Sequence, residues 1–236
     1  MKKVISILLV LCVAASLFAA VTVKAGFDFG TVSGKFLEDK GTGVKDVTFK
    51  THGVGFDVAV MGDVASNLAV YGDVSAIFPI FFKSSENGST EITFVKDDVA
   101  APTLDGTTLK FPGLKVSSVA FRAGALYKIN YQGVDLGFGG GLVYSVSKEK
   151  LGVDKDFNEY SRSVTKNFGL SLYATGTYAV AKNVGINLTI NPDIYLYNYT
   201  ASYDNYLTDK EVCNFEAYGF RAGFAFNASL GVAFSF

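Results

Sequence analysis

The chain has 236 residues, enough for one domain with a sizeable core, and its net charge of −1 argues against a nucleic-acid-binding protein, which would need a basic face. Hydrophobic residues make up 49 % of it and charged residues only 18 %, against about 25 % charged residues in an average soluble protein. This composition is typical of a membrane protein or of an unusually apolar β protein.

The first predicted element is a secretory signal peptide over residues 1–20. Lys2 and Lys3 provide its positive charge, an apolar stretch follows, and Ala19-Ala20 are small enough for a cleavage site. A single membrane anchor is the alternative, but the apolar stretch is shorter than the ~20 residues that a spanning helix requires. We expect the mature domain to comprise residues 21–236.

The mature sequence alternates between apolar and small or polar residues in eight segments, and this period of two is typical of β-strands with one apolar face. We predict strands near residues 22–34, 48–60, 67–81, 116–129, 134–147, 167–180, 184–197 and 215–236. The connections are alternately long (37–46, 82–115, 148–165 and 198–214) and short (61–66, 130–133 and 181–183). This order predicts an all-β fold, an eight-stranded antiparallel transmembrane up-and-down β-barrel with short periplasmic turns and long external loops.

The longest connection, residues 82–115, contains two short strand-like segments. They cover 91–95 and 107–111, and turn sequences stand beside them at Asn87-Gly88 and Pro112-Gly113. We expect both segments to extend the sheet above the membrane. A ten-stranded barrel is the alternative, but each segment is shorter than the ~9–11 residues that a spanning strand needs.

The second face of the strands separates a membrane barrel from a soluble, lipocalin-like one. A soluble barrel would carry Lys and Glu at most of these positions, whereas here Gly, Ala and Ser are frequent, as expected inside a narrow barrel. The charged residues of this face are Lys24, Asp28, Asp57, Asp73, Arg122, Asp135 and Arg221. The small and polar set should therefore face the lumen, and the apolar set should face lipid.

Six of these charged residues are predicted to form a network in the lumen. They are Lys24, Asp28, Asp57, Asp73, Arg122 and Arg221. Asp73 and Arg122 lie on neighbouring strands at similar distances from the periplasmic end, and Lys24 and Asp57 match in the same way. Ion pairs between them would plug the barrel, whereas a wet lumen that solvates each charge separately is the alternative and would favour a channel.

The C-terminal strand ends in a regular alternation of apolar residues. Its outward members are Leu230, Val232, Phe234 and Phe236. We expect this strand to close the barrel against the first one, with its aromatic rings in the girdle at the membrane interface. An alternation ending in a C-terminal Phe resembles the targeting signal that the assembly machinery of bacterial outer-membrane β-barrel proteins reads.

With the signal peptide and the eight strands, the whole mature chain resembles the small outer-membrane β-barrel superfamily, including the opacity-protein and OmpX-like groups. The resemblance implies location in the outer membrane of a diderm bacterium, with outer-membrane lipids and the barrel assembly machinery as partners. It does not specify an activity, because one fold hosts many functions.

Few residues indicate catalysis or cofactor binding. The single histidine, His52, has no evident Ser partner of the kind that a lipid-A-modifying barrel would need. No Cys–His cluster has metal-ligand spacing, and the glycine-rich residues 137–141 lie within a strand rather than before a helix. We expect no cofactor, no metal and no nucleic-acid partner. Cys213, the only cysteine of the mature segment, would form no internal disulfide, so a free thiol or an intermolecular bond stays open.

Three functions stay open at this point. The first is a barrel with a largely plugged lumen whose external loops act in surface interaction, with a host or surface ligand, or in envelope integrity. The second is a narrow porin-like channel for small solutes, and the third is a lipid-modifying enzyme. The long loop 82–115 favours the first, while the sequence names neither the ligand nor the oligomeric state.

Overall fold

The computed structural model describes residues 20–39, 44–86, 92–153, 158–205 and 212–236. Eight long strands form the wall: β1 Val21–Asp39, β2 Val44–Ala65, β3 Leu68–Glu86, β7 Gly113–Tyr131, β8 Val134–Gly152, β9 Tyr160–Ala181, β10 Val184–Asn205 and β11 Val212–Ser235. Three short strands lie between β3 and β7: β4 Ile92–Lys96, β5 Thr103–Asp105 and β6 Thr108–Phe111. Within the described ranges, no helix is both long and apolar enough to cross a membrane.

The eight long strands close into a ring. Each pairs in antiparallel fashion with its neighbours in the order β2-β1-β11-β10-β9-β8-β7-β3, and β3 returns to β2. The closing pair is β1 with β11, which runs in register from Thr22–Ser235 to Gly34–Gly223. The eight-stranded antiparallel barrel predicted from the sequence is confirmed, and the ten-stranded alternative is wrong.

The wall strands are longer than the sequence pattern suggested. They contain 19 to 24 residues, about twice the ~9–11 that cross a membrane. The predicted loops 37–46, 148–165 and 198–214 are therefore mostly strand, since β8 continues to Gly152 and β9 already begins at Tyr160. The ladder continues because each extended segment keeps at least one hydrogen-bonding neighbour, whatever the polarity of its side chains.

The short connections lie together at the opposite end, as predicted, and they are two-residue turns, shorter than the predicted 61–66, 130–133 and 181–183. One of them joins β7 to β8 through Gln132 (φ 51°) and Gly133 (φ 81°). Two consecutive residues with positive φ are the signature of a type I′ turn, whose twist matches that of the flanking strands. The other two turns are Ser66-Asn67 and Lys182-Asn183.

The longest external connection carries a small sheet of its own. The two predicted segments are β4 and β6, which pair in parallel, and β4 also pairs with β3 at Phe82–Ser84. Strand β5 was not predicted; it pairs with β6 across a turn at Gly106, whose φ is 59°. Pro112 lies at the bend before β7, and the turn predicted at Asn87-Gly88 lies outside the described residues.

The two faces of the wall have opposite character. Large apolar side chains are exposed on the outside, such as Phe27 at 65 % and Leu172 at 56 %. Charged side chains are buried inside, such as Lys24 at 1 % and Arg122 at 2 %. This distribution is the inverse of a soluble protein's and fits a barrel whose outer face is solvated by lipid, with every wall strand paired on both sides.

Candidate functional site: the barrel lumen

Arg122 is the centre of the lumen. It projects inward from β7 between Asp73 of β3, its direct cross-strand partner, and Asp193 of β10. Nη1 lies 2.7 Å from Asp73 Oδ1, and Nη2 lies 2.7 Å from Asp193 Oδ2. Nε also donates to both Asp193 oxygens, at 3.0 and 3.1 Å. Because β8 and β9 separate β7 from β10 in the ring, the contact with Asp193 spans the lumen.

The guanidinium of Arg122 has all five of its N–H donors engaged. Nη1 donates its second hydrogen to Ser75 Oγ at 2.9 Å. The Asn227 amide, oriented with its oxygen toward Arg122, accepts the second hydrogen of Nη2. A planar guanidinium whose five N–H groups all donate hydrogen bonds, with two carboxylates among the acceptors, is a strong and geometrically specific arrangement. The side chains of Arg122, Asp73 and Asp193 have no exposed surface.

A second group of charges lies nearer the periplasmic end. In place of the predicted Lys24–Asp57 ion pair, each group bonds a hydroxyl across the interior. Lys24 Nζ donates to Thr175 Oγ1 at 2.5 Å, and Asp57 accepts a short hydrogen bond from the Ser229 hydroxyl. Asp28 is buried beside them, and its Oδ1 has no hydrogen-bond partner among the described residues. Hydroxyls replace ions here because β9 and β11 present Thr and Ser at the same level.

Two apolar layers enclose Arg122 and its partners. The layer on the periplasmic side consists of Met61, Ala69, Tyr71, Leu126 and Tyr173. The layer on the external side consists of Val32, Ala120, Val143, Tyr195 and Ala225. The rings of Tyr71 and Tyr173 pack with their centroids 4.2 Å apart. The lumen is therefore filled by side chains, as expected for eight strands.

The periplasmic mouth is shallow. Its cavity of about 40 Å³ is lined by Lys128, Asp135 and Thr177 near the opening and ends on Met61 and Leu126. That volume holds only a few water molecules. The ion pair between Lys128 and Asp63, 2.7 Å long, stands at this mouth.

Sequence reasoning missed Asp193. The alternation in the strand predicted at 184–197 already placed Asn187, Thr189 and Asn191 inside, and two residues further along the same face is Asp193. Its partner could not be found by matching neighbouring strands, because β10 does not pair with β7. The side chains of Arg221 and Cys213 lie outside the described residues, so their predicted roles stay predictions.

The C-terminal residues lie where closure requires them. Phe236 N donates to Val21 O at 2.9 Å, and Phe234 pairs with Val23. The outward side chains include Leu230 at 56 % and Phe236 at 78 % exposure. These positions suit an aromatic girdle, while the recognition of this end by an assembly machinery stays a prediction.

The remaining candidates for chemistry are apart from the lumen charges. His52 is exposed on the outer face of β2. Within the described ranges, no group of three or more His, Cys, Asp or Glu side chains could hold a metal ion. The glycine-rich stretch lies in β8, where a side chain at Gly139 would overlap the backbone of Ala125 on β7. These glycines permit close approach of the two strands.

No protein-family model matches the sequence, and no curated protein matches it. Several solved structures, however, are similar to the fold of this chain. The outer membrane protein OprG from Pseudomonas aeruginosa is 10 % identical, with a TM-score of 0.57 over 93 % of this chain and 96 % of its own. A major outer membrane protein from Thermus thermophilus is 15 % identical, with a TM-score of 0.53 over 90 % of this chain and 99 % of its own. The outer membrane protease OmpT from Escherichia coli is 10 % identical, with a TM-score of 0.50 over 92 % of this chain and 97 % of its own.

The fold is that of the bacterial outer-membrane β-barrels. At this level the resemblance to small outer-membrane barrels that the sequence suggested is confirmed. Identities this low establish a shared fold and not a shared activity, because function depends on the site and not on the fold.

Proposed function

We propose that the protein is an integral outer-membrane barrel with a largely plugged lumen, exported through a cleaved signal peptide into the envelope of a diderm bacterium. It acts through its external surface, in contact with a host or surface ligand or in envelope integrity. The observation that carries the proposal is the Asp73–Arg122–Asp193 bridge across the lumen, fully buried between two apolar layers.

The bridge is expected to stay closed for an energetic reason. Breaking a buried, hydrogen-bonded ion pair leaves an uncompensated charge and costs roughly 3–5 kcal/mol. A water column past Arg122 would have to displace its contacts with both carboxylates and also separate the apolar side chains above and below. A small solute offers no compensating interaction of that size.

The external surface supports the second part of the proposal. The wall strands continue well beyond the length needed to cross the membrane, and the β4–β6 sheet adds surface at the same end. Lys110 of β6 lies 3.3 Å from Asp97 and 3.5 Å from Asp105, and the Phe94 and Phe111 rings stack with centroids 5.9 Å apart. These contacts join the segments of β4, β5 and β6 to one another, and an ordered surface loses less entropy when a partner binds. We propose no catalytic role, because His52 lies on the outer wall, away from the lumen carboxylates.

Conductance in a planar lipid bilayer tests the plug. We expect near-zero conductance from the wild-type barrel and the appearance of conductance in Arg122→Ala. The control is Lys110→Ala, which removes a cation from the external sheet and should leave the barrel closed. Each sample should first show the same shift between heated and unheated gel migration, so that the barrel is known to be folded. Nanosiemens-scale conductance in the wild type would overturn the plug and favour a porin-like channel.

A further inference from the structure

Lys24 carries a buried ammonium group that has no carboxylate partner. Its Nζ makes one hydrogen bond among the described residues, to Thr175 Oγ1 at 2.5 Å. No carboxylate of the described ranges lies within ion-pair distance of it, because Asp57, whose charge acts on Lys24 through space, is bonded to the Ser229 hydroxyl. An ammonium group has three N–H donors, so two donors of Lys24 have no acceptor in this part of the chain. A buried charge is costly unless it is both paired and hydrogen-bonded.

The cavity at the periplasmic mouth reaches this ammonium group. Lys24 lines it together with hydroxyl groups from three strands, which are Thr22 of β1, Thr175 and Thr177 of β9, and Ser235 of β11. Its volume is about 40 Å³, and a cavity needs about 10–15 Å³ to hold one water molecule. The cavity therefore has room for a small ion and not for a bulky one.

Hydrogen-bond donors exceed acceptors among these lining groups. Thr177 Oγ1 accepts a hydrogen bond from Asn187 Nδ2 at 2.8 Å, and the hydrogen of its own hydroxyl has no acceptor among the described residues. Thr22 and Ser235 share one hydrogen bond of 3.3 Å, which leaves one of their two hydroxyl hydrogens over. With the two remaining donors of Lys24, the cavity lacks acceptors and a negative charge.

The charged residues nearer the opening limit the charge of a suitable ligand. Lys128 is paired with Asp63 at 2.7 Å and is thereby offset. Asp135 accepts a hydrogen bond from the neutral amide of Asn130 at 2.7 Å and keeps its negative charge. Asp135 at the rim and Asp57 further inside oppose an anion more strongly the higher its charge. A monovalent anion is therefore favoured over sulfate or phosphate.

We propose that the periplasmic mouth cavity binds a small monovalent anion such as chloride. Lys24 provides the opposite charge and two donors, and the Thr177 hydroxyl provides a third. Water molecules would accept the same hydrogen bonds, but they would leave the charge of Lys24 uncompensated. The anion enters from the periplasmic side and does not pass Arg122, so the site is compatible with a closed lumen.

The test is the response of the folded barrel to chloride in uncharged detergent at constant ionic strength, with chloride replaced stepwise by bulky gluconate. We expect the urea midpoint of unfolding to rise with chloride and to saturate, and the chlorine NMR line to broaden on addition of protein. Lys24→Met should abolish both effects. Thr177→Val keeps the shape of the side chain and should weaken chloride affinity roughly tenfold, since a hydrogen bond to a charged group contributes about that factor.

The matched control is Lys182→Gln, which removes an exposed lysine from the periplasmic turn between β9 and β10 and should leave chloride affinity within about twofold. Equal midpoints in chloride and gluconate, without line broadening, would overturn the site. Equal losses of affinity in Lys182→Gln and Lys24→Met would reduce the effect to general charge attraction and also overturn it. If Lys24→Met does not fold, Thr177→Val decides, because unchanged affinity in that variant would contradict the cavity as the binding site.

Discussion

Removal of the guanidinium at position 122 should destabilise the barrel more than any single change to a lumen carboxylate. Arg122→Met keeps the length of the side chain but leaves Asp73 and Asp193 buried without their shared cation. Breaking one buried pair costs roughly 3–5 kcal/mol, and the two pairs share one guanidinium, so their costs do not simply add. We therefore expect a loss of about 3–5 kcal/mol in the free energy of unfolding.

Asp28→Asn is the matched variant at a carboxylate of the same lumen. Asp28 is equally buried, but its Oδ1 has no hydrogen-bond partner among the described residues. Its replacement removes a negative charge from a region with more carboxylates than cations, so the expected change is small. Asp193→Asn should fall between the two, because the amide oxygen can still accept one hydrogen bond from Arg122 Nε.

The assay is urea unfolding of the barrel in detergent or in lipid vesicles. The chain contains no tryptophan, so far-ultraviolet circular dichroism and the gel shift between folded and unfolded barrel are suitable probes. An Arg122→Met barrel as stable as the wild type would refute the reasoning. It would mean that water solvates each lumen charge separately, as in the wet-lumen alternative.

Two further expectations concern the membrane and the end of the chain. The wild-type protein should fractionate with the outer membrane and migrate differently on a denaturing gel before and after heating; identical migration of a soluble periplasmic protein would contradict the membrane assignment. Deletion of Phe236 should lower the amount of folded barrel in the membrane. Phe234→Lys should lower it further, with a cost of about 0–1 kcal/mol near the interface and at most ~2–4 kcal/mol if the side chain lies deeper. Normal assembly of both variants would remove the proposed role of this segment.

The parts of the fold that could be predicted are those that depend on local periodicity. A period of two assigns a strand and its inward face from neighbouring residues alone, which is why Lys24, Asp57 and Arg122 were placed inside. The contact between Asp73 and Arg122 could also be predicted from the sequence, because it requires only the register of two adjacent strands. The ends of the strands were not predictable in this way, because the ladder continues through the polar segments near Gly152 and Tyr160.

Contacts across the lumen depend on how the ring closes. The register between β7 and β10 is the sum of those in the intervening pairs β7–β8, β8–β9 and β9–β10, and a bulge near Tyr195 shifts the last of them. No local pattern encodes that sum, so Asp193 could be placed inside but not against Arg122. The predicted ion pair between Lys24 and Asp57 is replaced by hydrogen bonds to hydroxyls for the same reason. Their partners Thr175 and Ser229 lie on strands that the pairwise matching did not consider.

The barrel separates its charges by sign and by position. Among the charged residues that are buried in the described part of the lumen, four carboxylates (Asp28, Asp57, Asp73 and Asp193) face two cations, Lys24 and Arg122. The outer face of β7–β9 has the opposite excess, with five cations at its outward positions: Lys115, Lys148, Lys150, Arg162 and Lys166. A surplus of buried carboxylates makes Arg122 the lumen residue whose charge the fold can least lose.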